Sequence, residues 1–96
     1  MFVVVTYDVN TETNDGKRRL RNVARICKNY GVRVQNSVFE CVVDYVQFIE
    51  MKNKINSIIC LESDSVRYYN MGNEGRRRVE HVGNKLAINV DDSLIF

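Results

Sequence analysis

The residues best equipped for chemistry are one carboxylate and two clusters of cations. Asp8 closes the apolar, β-branched run Phe2-Val3-Val4-Val5-Thr6-Tyr7. Such a run has the composition of a strand buried on both faces. Burying an unpaired carboxylate is costly, so Asp8 belongs where that strand emerges. It is either a solvated strand-end or turn residue before Asn10, or a metal-binding or acid–base carboxylate held rigidly at the edge of a core. The cations are equally localised. Nine of 14 basic residues fall between Lys17 and Lys28 or in Arg76-Arg77-Arg78, on a chain whose net charge is only +2. Clustered cations on a nearly neutral protein point to a local anionic partner.

Other chemistries find little support. His81 is the only histidine and has no companion at ligand spacing, which argues against zinc. Cys27, Cys41 and Cys60 are an odd number without CxxC spacing, each in an apolar pattern. They read as buried free thiols in a reducing cytoplasm. The sequence has no Walker loop, GxGxxG, HExxH or Ser/His/Asp set, and no repeats or low-complexity segments. No apolar run approaches the roughly 20 residues that span a bilayer. Met1 leads straight into the first strand, so neither a signal peptide nor a membrane association is expected.

The elements that must position these residues form one domain over residues 1–96. Thr13 and Asn14 are candidate N-caps of a helix running to about Tyr30, with Gly31 as its stop. Leu20, Val23, Ala24, Cys27 and Tyr30 make its core stripe, and Lys17, Arg18, Arg21, Arg25 and Lys28 fall on the opposite arc. Charge runs are ordinarily solvated helix faces. Like charges at i,i+4 repel by a few tenths of a kcal/mol, so cations without interleaved acids are better tolerated where phosphates meet them. Arg19 lies on the apolar side of the same wheel, near the helix start. It is either a salt-bridge partner that holds a carboxylate or a phosphate ligand.

Val32–Gln35 and Val38–Val43 read as strands joined tightly at Asn36-Ser37. Asp44 caps a second helix, roughly Tyr45–Ile59, with Phe48, Met51, Ile55, Ile58 and Ile59 as its stripe. Ser65–Met71 is a further strand, after a turn through Glu62 and Asp64. The order is that of an α+β, ferredoxin-like βαββαβ fold with two helices on one face of an antiparallel sheet. Residues such as Val38 and Val42 then leave the other sheet face apolar, a problem solved by packing two sheets face to face as a homodimer. The alternating segment 85–90 is expected as an additional C-terminal strand that crosses to extend the partner's sheet edge.

Three segments together carry a resemblance: Thr6-Tyr7-Asp8-Val9, Arg33-Val34-Gln35-Asn36-Ser37-Val38-Phe39-Glu40-Cys41, and Arg77-Arg78-Val79-Glu80. Over nearly its whole length the chain resembles the small CRISPR-associated protein of the spacer-acquisition module, the partner of the CRISPR integrase, in its type I-C-like form. The resemblance implies a homodimer in which Asp8 of both subunits converges at the axis and binds a divalent cation. It implies metal-dependent endonuclease activity on double-stranded DNA or single-stranded RNA, and a bridging role between integrase subunits on a duplex. Tyr7, Asp8, Arg33, Ser37 and Phe39 match positions that the family uses at or beside the nuclease centre. The family's basic pair near the helix start corresponds to two among Arg18, Arg19 and Arg21. Mg²⁺, or a similar ion such as Mn²⁺, suits paired carboxylates because it is hard and keeps several waters. Phosphate contacts are expected from Lys17, Arg18, Arg19, Arg21, Arg25, Lys28, Arg33, Arg76, Arg77 and Arg78.

Overall fold

The computed structural model describes residues 1–72 and 78–84. Its elements are β1 (Phe2–Asp8), α1 (Asn14–Tyr30), β2 (Gly31–Gln35), β3 (Val38–Val42), α2 (Tyr45–Ile58), β4 (Ser65–Asn70) and β5 (Arg78–Gly83). The five strands form one sheet in the order β2-β3-β1-β4-β5, antiparallel at every pairing. The first six elements make the expected ferredoxin-like arrangement. The expected strand at 85–90 lies outside the described residues, as do Arg76 and Arg77.

Both helices begin on side-chain caps. The Thr13 hydroxyl accepts from the Gly16 amide at 2.9 Å. Asp44 and Gln47 exchange hydrogen bonds of 2.7 and 2.9 Å in a capping box. Gly31 ends α1, though not by turning left-handed: its backbone is extended and already belongs to β2. Glycine is required by close approach, because a Cβ there would lie 2.3 Å from the Glu40 carbonyl oxygen and 2.5 Å from Cys41 Sγ.

Alternation in β1 sends Val3, Val5 and Tyr7 into the core beneath the helices. They meet Val23 and Cys27 of α1, Phe48, Met51 and Ile55 of α2, and Phe39, Cys41, Val66 and Tyr68 of the sheet. Phe2, Val4, Thr6 and Asp8 take the opposite face. Register places Val38, Val42 and Val32 on that face as well, and Val42 is 80% exposed and Val32 69%. This is the apolar outer face anticipated from the sequence.

Two thiols behave as expected. Cys27 and Cys41 are fully buried, and burial pushes them up to about 12 and about 11 respectively, which keeps them protonated and unreactive. Cys60 differs, being only half-buried in the turn after α2, with its Sγ near Glu62.

Candidate functional site

Adjacent residues of a strand face opposite ways, and at the end of β1 this separates two kinds of chemistry. Asp8 is exposed on the open sheet face, opposite Ser65 of β4. Its carboxylate has no hydrogen bond or ion pair among the described residues. No group of three or more His, Cys, Asp or Glu is placed to hold a cation among the described residues. The end of β1 therefore presents an uncommitted hard-oxygen ligand, which is chemically suited to a divalent ion but is only part of a ligand set.

Tyr7 turns the other way, toward α1. Its amide donates to the Ser37 carbonyl at 3.1 Å and its hydroxyl to the Asn36 carbonyl at 3.3 Å, which pins the β2–β3 turn against β1. Its ring stacks on Phe39 with centroids 6.2 Å apart. Burial raises the Tyr7 pKa, and hydrogen bonding with Arg33 only partly opposes this. Tyr7 is thus a neutral donor at ordinary pH, not a phenolate base. The Arg33 guanidinium lies 5.2 Å above the Phe39 centroid, a cation–π arrangement. Phe39 itself is fully buried, so it supports Tyr7 and Arg33 from behind and does not reach solvent.

Between this group and α1 lies a cleft of about 600 Å³, lined by Tyr7, Leu20, Arg21, Ala24, Arg25, Lys28, Arg33, Asn36 and Ser37. The structure thus brings together Tyr7, Ser37, Arg21, Arg25, Lys28 and Arg33, with Phe39 beneath them. It leaves Asp8 on the other side of the sheet. Lys17 is exposed on the outer arc of α1, away from the cleft lining, and Arg78 opens β5 opposite Asn70.

Arg18 and Arg19 are handled differently. Arg18 is ion-paired with Asp15. Arg19 reaches Asp15 at 2.7 Å and Asp64 at 2.8 Å. Of the two roles open to Arg19, the geometry shows the one that holds a carboxylate. Asp64 is the residue that sequence reading missed, having passed for a turn former. It is fully buried and accepts from the Asn10 and Cys60 amides at 3.0 and 2.8 Å. The signal that could have found it was Arg19 itself, a cation on the apolar side of a helix that needs an acid.

Residues 1–79 match the family described as CRISPR associated protein Cas2. Over its full length the chain is 51% identical to all of the CRISPR-associated endonuclease Cas2 of Halalkalibacterium halodurans. It is 48% identical, again over the whole of both chains, to the CRISPR-associated endoribonuclease Cas2 of Chlorobaculum tepidum. The fold matches the crystal structure of Streptococcus pyogenes Cas2 at pH 6.5 with a TM-score of 0.70 and 54% identity, covering 75% of this chain and 87% of that one. The chain belongs to the Cas2 family of CRISPR-associated proteins, the family that its three diagnostic segments resemble.

Proposed function

We propose that the protein acts in CRISPR spacer acquisition as a cytoplasmic homodimer that binds duplex DNA and bridges subunits of the CRISPR integrase. Metal-dependent phosphodiester hydrolysis at paired Asp8 residues is a second, separable property. The observation that carries the binding role is the segregation of charge around α1. Asp15 and Asp64 take up Arg18 and Arg19, whereas Arg21, Arg25, Lys28 and Arg33 meet no carboxylate among the described residues. Uncompensated cations on a rigid helix and strand suit phosphate contacts that fix position without reading sequence.

The nuclease reading is favoured by the exposed, unpartnered Asp8 at the rim of an apolar sheet face. Packing two such faces about a twofold axis brings the two carboxylates near each other, where like charges need a cation or proton between them. A bound Mg²⁺ or Mn²⁺ would polarise a phosphoryl oxygen and acidify a water. The names of the relatives from Halalkalibacterium halodurans and Chlorobaculum tepidum, endonuclease and endoribonuclease, are consistent with it.

The test is an assay on labelled duplex DNA and single-stranded RNA with Mg²⁺ or with EDTA, run beside an integration assay containing the integrase. Duplex binding that survives EDTA, with integration dependent on this protein, supports the adaptor role. A protein that neither binds duplex nor supports integration contradicts it.

A further inference from the structure

The cleft between α1 and the β2–β3 turn offers more than a place for a duplex backbone to rest. A single phosphate would occupy only a small part of it. At about 600 Å³ it falls within the roughly 300–1,000 Å³ typical of small-molecule sites. Its walls are of two kinds. Arg21, Arg25 and Lys28 project from successive turns of α1, and Arg33 faces them from β2. Leu20, Ala24 and the Tyr7 ring make an apolar wall. Asn36 and Ser37 line the same cleft, and their side chains make no hydrogen bond among the described residues.

The charge pattern bears on what fits. No acidic residue lines the cleft, and the acids near α1 are spent on Arg18 and Arg19. Like charges at i,i+4, such as Arg21 and Arg25, each cost a few tenths of a kcal/mol unless an anion relieves them. Leu20 and Ala24 are the edge of the α1 core stripe, and where that edge reaches the cleft it sets an apolar wall beside the cations and the polar turn residues. Phosphate, flat apolar surface and hydrogen-bonding edge are the three components of a nucleotide.

We propose that this cleft is a subsite for a single unpaired nucleotide. Its phosphate is held by Arg21, Arg25, Lys28 and Arg33, its base lies on Leu20, Ala24 and Tyr7, and its polar edge meets Asn36 and Ser37. The inference rests on the reading of the chain as a nucleic-acid-binding protein and names the element that it takes. The nucleotide can be free or can be the frayed end of a strand, and the two sources are distinguished by the probes.

The experiment measures binding of four probes to the full-length protein: adenosine 5′-monophosphate, inorganic phosphate, a single strand with a 5′-phosphate, and a blunt duplex. Mononucleotide is expected to bind more tightly than inorganic phosphate. Because the cations are shared, mononucleotide should displace duplex as well as single strand. A single strand that competes more strongly than the blunt duplex assigns the cleft to strand ends, and a mononucleotide site that the strand does not enter assigns it to free nucleotide. Ala24→Leu fills the apolar wall without changing charge and should weaken mononucleotide while sparing inorganic phosphate and duplex. Arg25→Ala, an exposed position, removes a charge-assisted hydrogen bond and should weaken mononucleotide about tenfold or more. Its circular dichroism should match that of the unaltered protein. Mononucleotide binding no tighter than inorganic phosphate, or unaffected by both substitutions, overturns the inference. If duplex binding persists in that case, the proposed function stands without the subsite. If duplex binding is absent as well, the function itself fails.

Discussion

Arg19 and Asp64, 45 residues apart, form a two-point ion pair, with Nε to Oδ2 at 2.8 Å and an amino group to Oδ1 at 3.3 Å. Around this pair four segments are tied together. Asp64 accepts from the Asn10 amide just past Asp8 and from the Cys60 amide after α2, while its backbone carbonyl accepts from Asn84 beyond β5. Gly83 is required at that junction: its φ is +108°, and a Cβ would come within 2.1 Å of the Asp64 carbonyl oxygen. The loop that carries the chain away from the candidate metal ligand is therefore anchored to a buried charge.

Asp64→Ala is accordingly expected to destabilise the fold by about 1–3 kcal/mol, because it leaves the Asn10 and Cys60 amides without their acceptor and Arg19 with Asp15 as its remaining carboxylate. The effect depends on pH. Burial alone would raise the Asp64 pKa, and hydrogen bonds from Arg19, Cys60 and Asn10 outweigh it, so the carboxyl sits below its ordinary range. A depressed folded-state pKa gives stability that is present above the unfolded value of about 3.9 and is lost as pH falls through the folded value. Urea melts should show a large gap between the two proteins at neutral pH that narrows well below pH ~4. A gap that is constant with pH would remove the charge from the explanation.

Much of this was legible in the sequence, for physical reasons that can be named. The β1 run, the caps at Thr13 and Asp44, and the stripe Phe48, Met51, Ile55 each announce an element through local chemistry. β5 did not. Val79 and Val82 lie on opposite sheet faces, opposite Tyr69 and Val66 respectively, so the segment shows no apolar alternation. What holds it is backbone pairing to β4, the packing of Val82 alone on the core and the Lys52–Glu80 ion pair at 2.8 Å, none of which leaves a periodic trace. At the site, residue type and position pointed to Asp8, whereas Tyr7 and Arg33 came from the resemblance, which put all three at or beside one centre. Strand alternation divides them between two faces. Asp64 stayed hidden because a buried acid and an ordinary turn acid look alike until their partner is located.

The open sheet face bears on assembly. Val42 and Val32 are largely exposed there, and polar substitution at exposed positions usually changes intrinsic stability by no more than about 0.5 kcal/mol. If two sheets pack through this face, Val42→Asp with Val32→Asp should convert a dimer to a folded monomer in sedimentation equilibrium. A doubly substituted protein that remains dimeric would place the interface elsewhere.

The basic face of α1 makes a prediction in salt. Replacing Arg21, Arg25 and Lys28 with Ala should flatten the slope of log K against log salt by about 0.9 for each duplex phosphate that is no longer neutralised. Binding should weaken similarly on unrelated sequences, since these side chains read no bases. An unchanged slope would return this face to ordinary solvated surface.

The separation of Asp8 from the basic cleft is the centre of the account, and Asp8→Asn addresses it with the smallest change in shape. Cleavage and duplex binding should be measured on the same preparation, with Mg²⁺ and with EDTA. The account predicts that metal-dependent cleavage disappears in the variant while duplex affinity and its salt dependence stay as they were, because the cations proposed to contact phosphate lie on the other face of the sheet. Retained cleavage would place hydrolysis away from Asp8, and duplex binding that disappears together with cleavage would contradict the division into two faces.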